Sequence, residues 1–376
     1  MGPSAISERN PTYCVFGRSA FARVYKMDAK YPKPIKPKRS FLGWCRERWL
    51  DLLITLGGMA AVLLATVYLH FLAPASWTRN SKVVVIPQGK AFHEIARILE
   101  DNGIIRDRRS FYLLARIDGE VSRVKAGEYE VHTRMTPREV LSKLVRGEVI
   151  QYPVTIPEGY NIYQIAEVLE QAKVCARKEF LIKVRDPGLI SSVGLDGDSL
   201  EGYLFPDTYN FPKGFGEEQV IRQMAARFKA VYAPLAKRAE KLGLSRQDVV
   251  ILASMIEKEA RDDQERRLIS AVFHNRLNRG MALQSDPTAI YGLKEKRVSI
   301  TREDLQRRTP YNTYIISGLP KGPIANPGIK SLQAVLFPAD VGYLYFVSKN
   351  DGTHYFSSTL EEHNRAVAKY QRRAKK

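Results

Sequence analysis

The chain has 376 residues, 44% of them hydrophobic, and a formal net charge of +19. This length and apolar content allow a sizeable core in two or three domains. Beyond residue 49 the basic excess is dispersed, which is typical of solvated surface and disfavours a nucleic-acid binder. Three cysteines and six histidines show no disulfide framework and no metal-ligand spacing, and no phosphate-binding loop motif occurs, so we expect no metal and no cofactor.

A charge-free apolar run is the first predicted element. Residues 52–75 contain no Asp, Glu, Lys or Arg, and 24 residues are enough to cross a hydrocarbon core. The flanking tryptophans Trp44, Trp49 and Trp77 fit an interfacial belt, and the basic tail before the run places residues 1–50 in the cytoplasm. We therefore predict a disordered basic tail over 1–50, a single-pass anchor over 51–76 and an extracytoplasmic remainder.

Two segments after the anchor repeat each other at an offset of 70 residues. Val83–Gly89 and Tyr152–Gly159 each read as a β-strand that ends in a Pro-x-Gly turn and precedes an amphipathic helix. A second helix and a strand with a Gly-Tyr or Gly-x-Tyr motif are predicted in each copy, and Thr136 is predicted to cap a further helix. This gives β-α-α-β units over 80–150 and 151–235, which are either glycan-binding modules or spacers.

An apolar helix that ends in two carboxylates follows the repeat. Ser245 and Asp248 predict its capped start, and Glu257 and Glu259 lie at its end. Helical spacing places Glu257 among Val250, Ala253 and Ala260 and turns Glu259 toward an acidic, solvated end. A carboxyl group in apolar surroundings without a close cation retains its proton to higher pH, which suits a general acid. The alternative is that both glutamates are surface residues of a structural helix.

Polar and aromatic side chains follow this helix in segments suited to binding sugars. Hydroxyl and amide groups occur around the Asp286-Pro287 dipeptide, which predicts a turn, and aromatic and polar residues alternate over 310–314. Stacking aromatic rings interleaved with hydrogen-bonding groups match the two kinds of surface that a pyranose presents. The candidate substrate-binding residues are Gln284, Asp286, Tyr311, Asn312, Tyr314 and Asn326.

Taken together, these motifs resemble one known family. The segments 201–209, 253–259, 283–291, 311–314 and 324–328, with shorter matches up to His363-Asn364, are similar in type and order to the YceG-like endolytic murein transglycosylases, the MltG family. The resemblance covers about residues 50–372 and implies one anchor, a LysM-like portion and a carboxy-terminal catalytic domain. Two departures are Ala260 and Ser285, where relatives frequently have Thr.

The resemblance implies a function and an active-site acid. Glu257 falls on the family's catalytic glutamate, which protonates the oxygen between N-acetylmuramic acid and N-acetylglucosamine and leaves a 1,6-anhydro end, without water or a metal. It further implies peptidoglycan strands as substrate, the bacterial inner membrane as location, and penicillin-binding synthases as candidate partners. Alternatives are a non-catalytic membrane-tethered glycan-binding scaffold and a glycosidase that uses Asp286.

The predicted fold is therefore α+β: one transmembrane helix, repeated LysM-like units, and a mixed α/β catalytic domain over 236–376.

Overall fold

The structure is a computed structural model that describes residues 41–293 and 300–372. Its contacts divide the chain into two compact units between Ala65 and Thr66. In the described residues the strands form three separate two-stranded antiparallel sheets, β1–β2, β3–β4 and β5–β6. The strands are β1 (Ser81–Ile86), β2 (Gly127–His132), β3 (Tyr152–Thr155), β4 (Thr208–Phe211), β5 (Tyr345–Ser348) and β6 (His354–Ser357).

Helices make up most of the rest of the described chain. They are α1 (Phe41–Val67), α2 (Phe92–Asp101), α3 (Arg108–Ile117), α4 (Pro137–Arg146), α5 (Ile162–Gln171), α6 (Arg177–Lys183), α7 (Pro187–Ser192), α8 (Glu217–Tyr232), α9 (Ala236–Lys241), α10 (Arg246–Glu259), α11 (Arg266–Asn278), α12 (Asp286–Ile290), α13 (Arg302–Gln306), α14 (Ile329–Leu336) and α15 (Leu360–Val367). The protein is thus mixed α/β, as predicted in general form.

Helix α1 contains the predicted apolar run. Its segment Arg48–Val67 is the one helix in the described residues that is long and apolar enough to cross a membrane. The predicted anchor extends further, to residue 76. In the structure, however, Phe71 packs against the core of the folded part, and Ala73 is buried there. Apolar residues after Val67 therefore serve folding as well. The basic tail up to residue 40 lies outside the described residues.

Both predicted repeat units contain an antiparallel strand pair joined through helices. In the first, β1 pairs with β2 around α2 and α3. In the second, β3 pairs with β4 around α5, α6 and the additional helix α7. Gly202 and Tyr203 lie in a turn before β4, which corrects the prediction that this Gly-Tyr pair is in a strand. Gly202 has a φ of +86° and approaches α10 too closely for a side chain.

The two strand pairs share one tyrosine position. Val84 faces Tyr129 in the first pair, and Val154, 70 residues later, faces Tyr209 in the second. Each tyrosine hydroxyl donates to the carbonyl oxygen four residues earlier, at 2.7 Å for Tyr129 and 2.5 Å for Tyr209. The units are therefore alike in register and in this hydrogen bond, whereas their LysM-like character stays a prediction.

The two units differ in their cores. The first encloses its own cluster of apolar side chains, running from Val84 to Leu144. The core of the second is continuous with that of the carboxy-terminal part, because one cluster extends from Val154 to Leu336 and includes α10, α11 and α14. The predicted domain boundaries stay predictions. The shared core means that the turns of the second unit are held against α10.

Helix α10 begins as the sequence predicts. Ser245 and Asp248 form a reciprocal capping box, and so do Thr136 and Glu139 at α4. Such caps satisfy two amide groups that a helix start leaves without partners. Residues 249–256 of α10 are all buried, so the helix is enclosed until its last turn. The carboxylates at its end are therefore fixed in place by the core.

Candidate active site

The site is built around the carboxyl end of α10. The helix ends at Glu259, and Ala260 has extended backbone with φ −75° and ψ 126°. Helical spacing therefore does not continue to residues 260–263. The neighbours of Glu257 and Glu259 come instead from α11, from the segment before α12 and from the start of α14. This ending explains the errors in the predicted surroundings of both glutamates.

Both carboxylate oxygens of Glu257 accept hydrogen bonds. Arg266 Nη1 is 3.0 Å from Oε1, and the backbone N–H of Gly328 donates to Oε2 at 3.0 Å. The side chains of Glu257 and Arg266 are only 5% and 9% exposed, so this ion pair is largely shielded from water. The prediction that Glu257 lies in apolar surroundings without a close cation is wrong, because the folded chain brings Arg266 to it.

Arg266 has further partners besides Glu257. Its Nη1 also donates to Ser331 Oγ at 2.7 Å, and its Nε donates to Asp263 at 3.0 Å. Lys330 also forms an ion pair with Asp263. The hydrogen bond from Lys330 is the largest cause that lowers the pKa of Asp263, and the hydrogen bond from Arg266 is the next. Arg266 therefore remains paired whichever protonation state Glu257 adopts, which avoids an isolated buried charge.

Glu259 lies in a different environment, although it is only two residues further along α10. Ser285 Oγ donates to its Oε1 at 2.5 Å. Burial raises the pKa of Glu259 to about 7, against the lowering effect of that hydrogen bond. The sequence predicted a solvated Glu259 and a desolvated, proton-retaining Glu257. The structure places the burial-raised pKa on Glu259 and the cation on Glu257, which corrects the prediction.

Four of the predicted substrate-binding residues cluster near Ser285. Gln284 is exposed and has a φ of +49°, a strained conformation for a residue with a side chain. Asp286 is exposed at the start of α12, which corrects the predicted turn, and accepts from the Tyr314 hydroxyl at 2.5 Å. Asn312 is fully buried, its amide group donates to the backbone before it, and its Oδ1 accepts from the Tyr314 amide. Gln284, Asp286 and Tyr314 thus retain surface for a ligand, whereas Asn312 supports the loop.

Tyr311 and Asn326 belong to another cluster. The Tyr311 ring packs on that of Tyr291 with centroids 4.7 Å apart, and the Tyr291 hydroxyl donates to Glu201 at 2.8 Å. The amide nitrogen of Asn326 donates to Glu201 at 2.8 Å, and its Oδ1 accepts from the Leu204 amide at 2.9 Å. Asn326 is fully buried, so direct contact with a ligand would require it to be uncovered.

Glu201 joins this cluster to the second repeat unit. Its carboxylate accepts from the backbone N–H of Ile162, the first residue of α5, at 3.1 and 3.2 Å. Burial raises the pKa of Glu201 to about 7, although these donors lower it. One buried carboxylate thus connects the loop that contains Asn326, the segment after α12 and the start of α5.

Sequence reasoning missed the residues that hold Glu257. Arg266 begins α11, Gly328 directly precedes α14, and Ser331 of α14 contacts Arg266; no motif or spacing joins them to Glu257 along the chain. Glu158 was also missed, although a signal existed: it occupies the repeat position at which the first unit has Gln88. Beside Arg266 lies a groove of about 480 Å³, lined by Asp263, Arg266, Arg267, Lys330, Gln333, Ala334 and Phe337.

Comparison with known proteins assigns the chain to a family. A family model described as YceG-like matches residues 84–369. An endolytic murein transglycosylase of Bacillus subtilis is 32% identical over 311 residues, which cover 78% of this chain and 86% of that protein. One from Streptococcus pneumoniae is 30% identical, over 77% of this chain and 59% of that protein.

A solved structure gives the same result. The crystal structure of a yceG-like protein from Listeria monocytogenes has 34% sequence identity and a TM-score of 0.54, and it covers 77% of this chain and 100% of that one. Because the family model spans most of the chain and the identity to the Bacillus subtilis relative extends over most of both proteins, the chain belongs to the YceG-like family.

Proposed function

We propose that the protein is an endolytic lytic transglycosylase of peptidoglycan and that Glu257 is its catalytic acid and base. The observation that carries the proposal is the pairing of Glu257 with Arg266 and the Gly328 amide at the end of a buried helix. The relatives named as endolytic murein transglycosylases support the reaction type. The resemblance of residues 253–259 to the family motif supports the residue.

The reaction needs Glu257 first as a carboxylic acid. It donates its proton to the oxygen that links C1 of N-acetylmuramic acid to C4 of N-acetylglucosamine, and the C1–oxygen bond breaks. The carboxylate that forms regains its contacts with Arg266 and the Gly328 amide. Stabilising this carboxylate favours proton donation, because those contacts are strongest after the proton has left.

The same carboxylate then completes the reaction. A positive, oxocarbenium-like centre develops at C1, and the C6 hydroxyl oxygen of the same ring bonds to it. Glu257 takes the hydroxyl proton, so the carboxyl group ends as it began and the product carries a 1,6-anhydro end. Gln284, Asp286, Tyr311 and Tyr314 are proposed to contact the strand, with Asn312 and Asn326 positioning their loops.

Location forms part of the proposal. Helix α1 contains a segment suited to anchoring the protein, and the basic tail before it favours a cytoplasmic amino terminus and an extracytoplasmic catalytic part. In the bacterial inner membrane this arrangement would bring the site to newly made strands near penicillin-binding synthases. Failure of these synthases to co-purify with the protein would count against that partnership.

Product analysis tests the reaction. Purified peptidoglycan is digested with the protein, and the fragments are identified by mass spectrometry. A lytic transglycosylase releases muramoyl ends that are lighter by one water than the reducing ends that a glycosidase using Asp286 would leave. A glycan-binding scaffold would bind sacculi and release neither product. Reducing ends, or no release, would contradict the proposed reaction.

A further inference from the structure

A second carboxylate lies beside Glu257, on the turn that joins β3 to α5. The Glu158 carboxyl group packs directly on the Cα atom of Gly328, where the Cβ atom of any other residue would lie. The backbone N–H of the same glycine donates to Glu257 at 3.0 Å. Glu158 and Glu257 therefore both contact Gly328, one through its Cα atom and the other through its amide.

The turn that carries Glu158 is fixed to the site by backbone contacts. The Gly159 amide donates to the Asn326 carbonyl at 2.9 Å, and the Asn326 amide donates to the Tyr160 carbonyl at 2.9 Å. Lys258, next to Glu257, donates to the Gly159 carbonyl at 3.3 Å. A Cβ atom on Gly159 would lie 3.4 Å from Cγ of Glu257, so the turn and the carboxylate are in close contact. These contacts hold the turn, and Glu158 with it, beside the site.

The two carboxylates differ in exposure. Glu158 is exposed, whereas the Glu257 side chain is only 5% exposed. The charged groups that act on Glu158 are Glu257 on α10, Arg266 on α11, Asp263 just before α11 and Lys330 on α14. Partial desolvation of its carboxyl group, followed by repulsion from Glu257, raises the pKa of Glu158, while the two cations oppose that rise. Glu158 is thus the carboxylate that a strand would meet first.

The repeat provides an internal comparison. The turn Ile86-Pro-Gln-Gly89 of the first unit corresponds to Ile156-Pro-Glu-Gly159 of the second. Gly89 and Gly159 have φ values of +77° and +74°, so both turns use the same left-handed position. The first unit has the neutral side chain of Gln88 at this position, and that side chain is exposed. The second unit, whose turn contacts Glu257, has the carboxylate of Glu158 instead. The turn therefore does not need a carboxylate to fold.

We propose that Glu158 is a second catalytic carboxylate, which faces the glycan strand beside Glu257 and stabilises the positive charge that develops at C1 of the muramoyl ring. This inference rests on the proposed transglycosylase function. Glu158 forms no bond to the sugar and moves no proton. Its negative charge acts on the oxocarbenium-like centre, in the way that a carboxylate partners the acid in many glycosidases.

The test compares Glu158→Gln with Gln88→Glu in the full-length protein. The rate of anhydro-end release should fall by roughly 10²-fold in Glu158→Gln, with binding to sacculi unchanged. Gln88→Glu should leave the rate unchanged. The loss should lie in kcat with KM unchanged, because the charge of Glu158 acts on the transition state and not on the bound strand. A merely structural role would not confine the loss to kcat.

Gly328→Ala is the second variant, since its methyl group displaces the Glu158 carboxyl group without changing any charge. It should lower the rate by itself and add little to Glu158→Gln in the double variant, because both changes act on the same group. A wild-type kcat in Glu158→Gln would overturn the inference while leaving Glu257 as the acid. Activity in Glu257→Gln would instead overturn the proposed function.

Discussion

Glu257 and Glu259 are two residues apart on one helix, yet the fold places them in contrasting environments. Glu257 has a guanidinium group and a backbone amide on its two oxygens. Glu259 has a serine hydroxyl and a pKa raised to about 7 by burial. Helical positions i and i+2 point about 200° apart, so each meets a different part of the chain. Neighbouring carboxylates therefore acquire different chemistry from their tertiary contacts.

Of the two glutamates, we expect replacement of Glu257 to have the larger effect on activity. Glu257→Gln should reduce anhydro-end release by roughly 10³-fold, because an amide cannot donate the required proton. Mass spectrometry of peptidoglycan digests measures the loss, and binding to sacculi should persist. Glu259→Gln is the matched control and should keep activity within about tenfold. A greater loss in Glu259→Gln than in Glu257→Gln would exchange the proposed roles of the two residues.

Arg266→Met removes the cation that pairs with Glu257 and leaves the surroundings of Glu259 unchanged. A buried carboxylate without its partner is costly, so the free energy of unfolding should decrease by about 3 kcal/mol, measured with urea. The neighbouring Arg267 is exposed and donates to the Phe337 carbonyl, so Arg267→Met should cost about 1 kcal/mol. Equal effects of the two substitutions would mean that the ion pair with Glu257 contributes no more to stability than the hydrogen bond made by Arg267.

Glu259 should make stability depend on pH. Its pKa is about 7 in the folded protein and 4.5 in its ordinary state, so the folded form binds the proton more strongly. Stability from this group is greatest below pH 4.5 and is lost as pH rises toward 7. In Glu259→Gln the loss of stability between pH 4.5 and 7 should be smaller by about 3 kcal/mol, and the part of that loss due to Glu201 should remain. An unchanged decline would contradict the assignment.

Ser285→Ala should give the smallest effect. It removes the hydroxyl that donates to Glu259 and should cost about 1 kcal/mol at neutral pH. This hydrogen bond lowers the pKa of Glu259, so its loss should shift the pH-dependent decline to higher pH. Ser285→Thr retains a hydroxyl and should restore the wild-type curve. If it behaves like alanine, packing rather than the hydrogen bond is responsible.

The local features of this protein follow from its amino-acid sequence alone. These features depend only on residues close together in the sequence, so they can be read from it directly. They are the charge-free run, the caps at Ser245 and Thr136, the strand-turn-helix repeat and the acidic end of α10. The motif at Glu257 also led to the family that the comparisons confirm. The sequence does not distinguish a polar residue that binds a ligand from one that holds a loop. Asn312 and Asn326 were predicted to bind substrate, but both are fully buried.

The groups that contact each carboxylate depend on the tertiary fold. Arg266, Gly328 and Glu158 reach Glu257 from 9, 71 and 99 residues away along the chain. Their approach depends on where α10 ends and on the core that the second repeat unit shares with α10, α11 and α14. Because burial and nearby charge act through space, no pattern in the residues around 257 could show them.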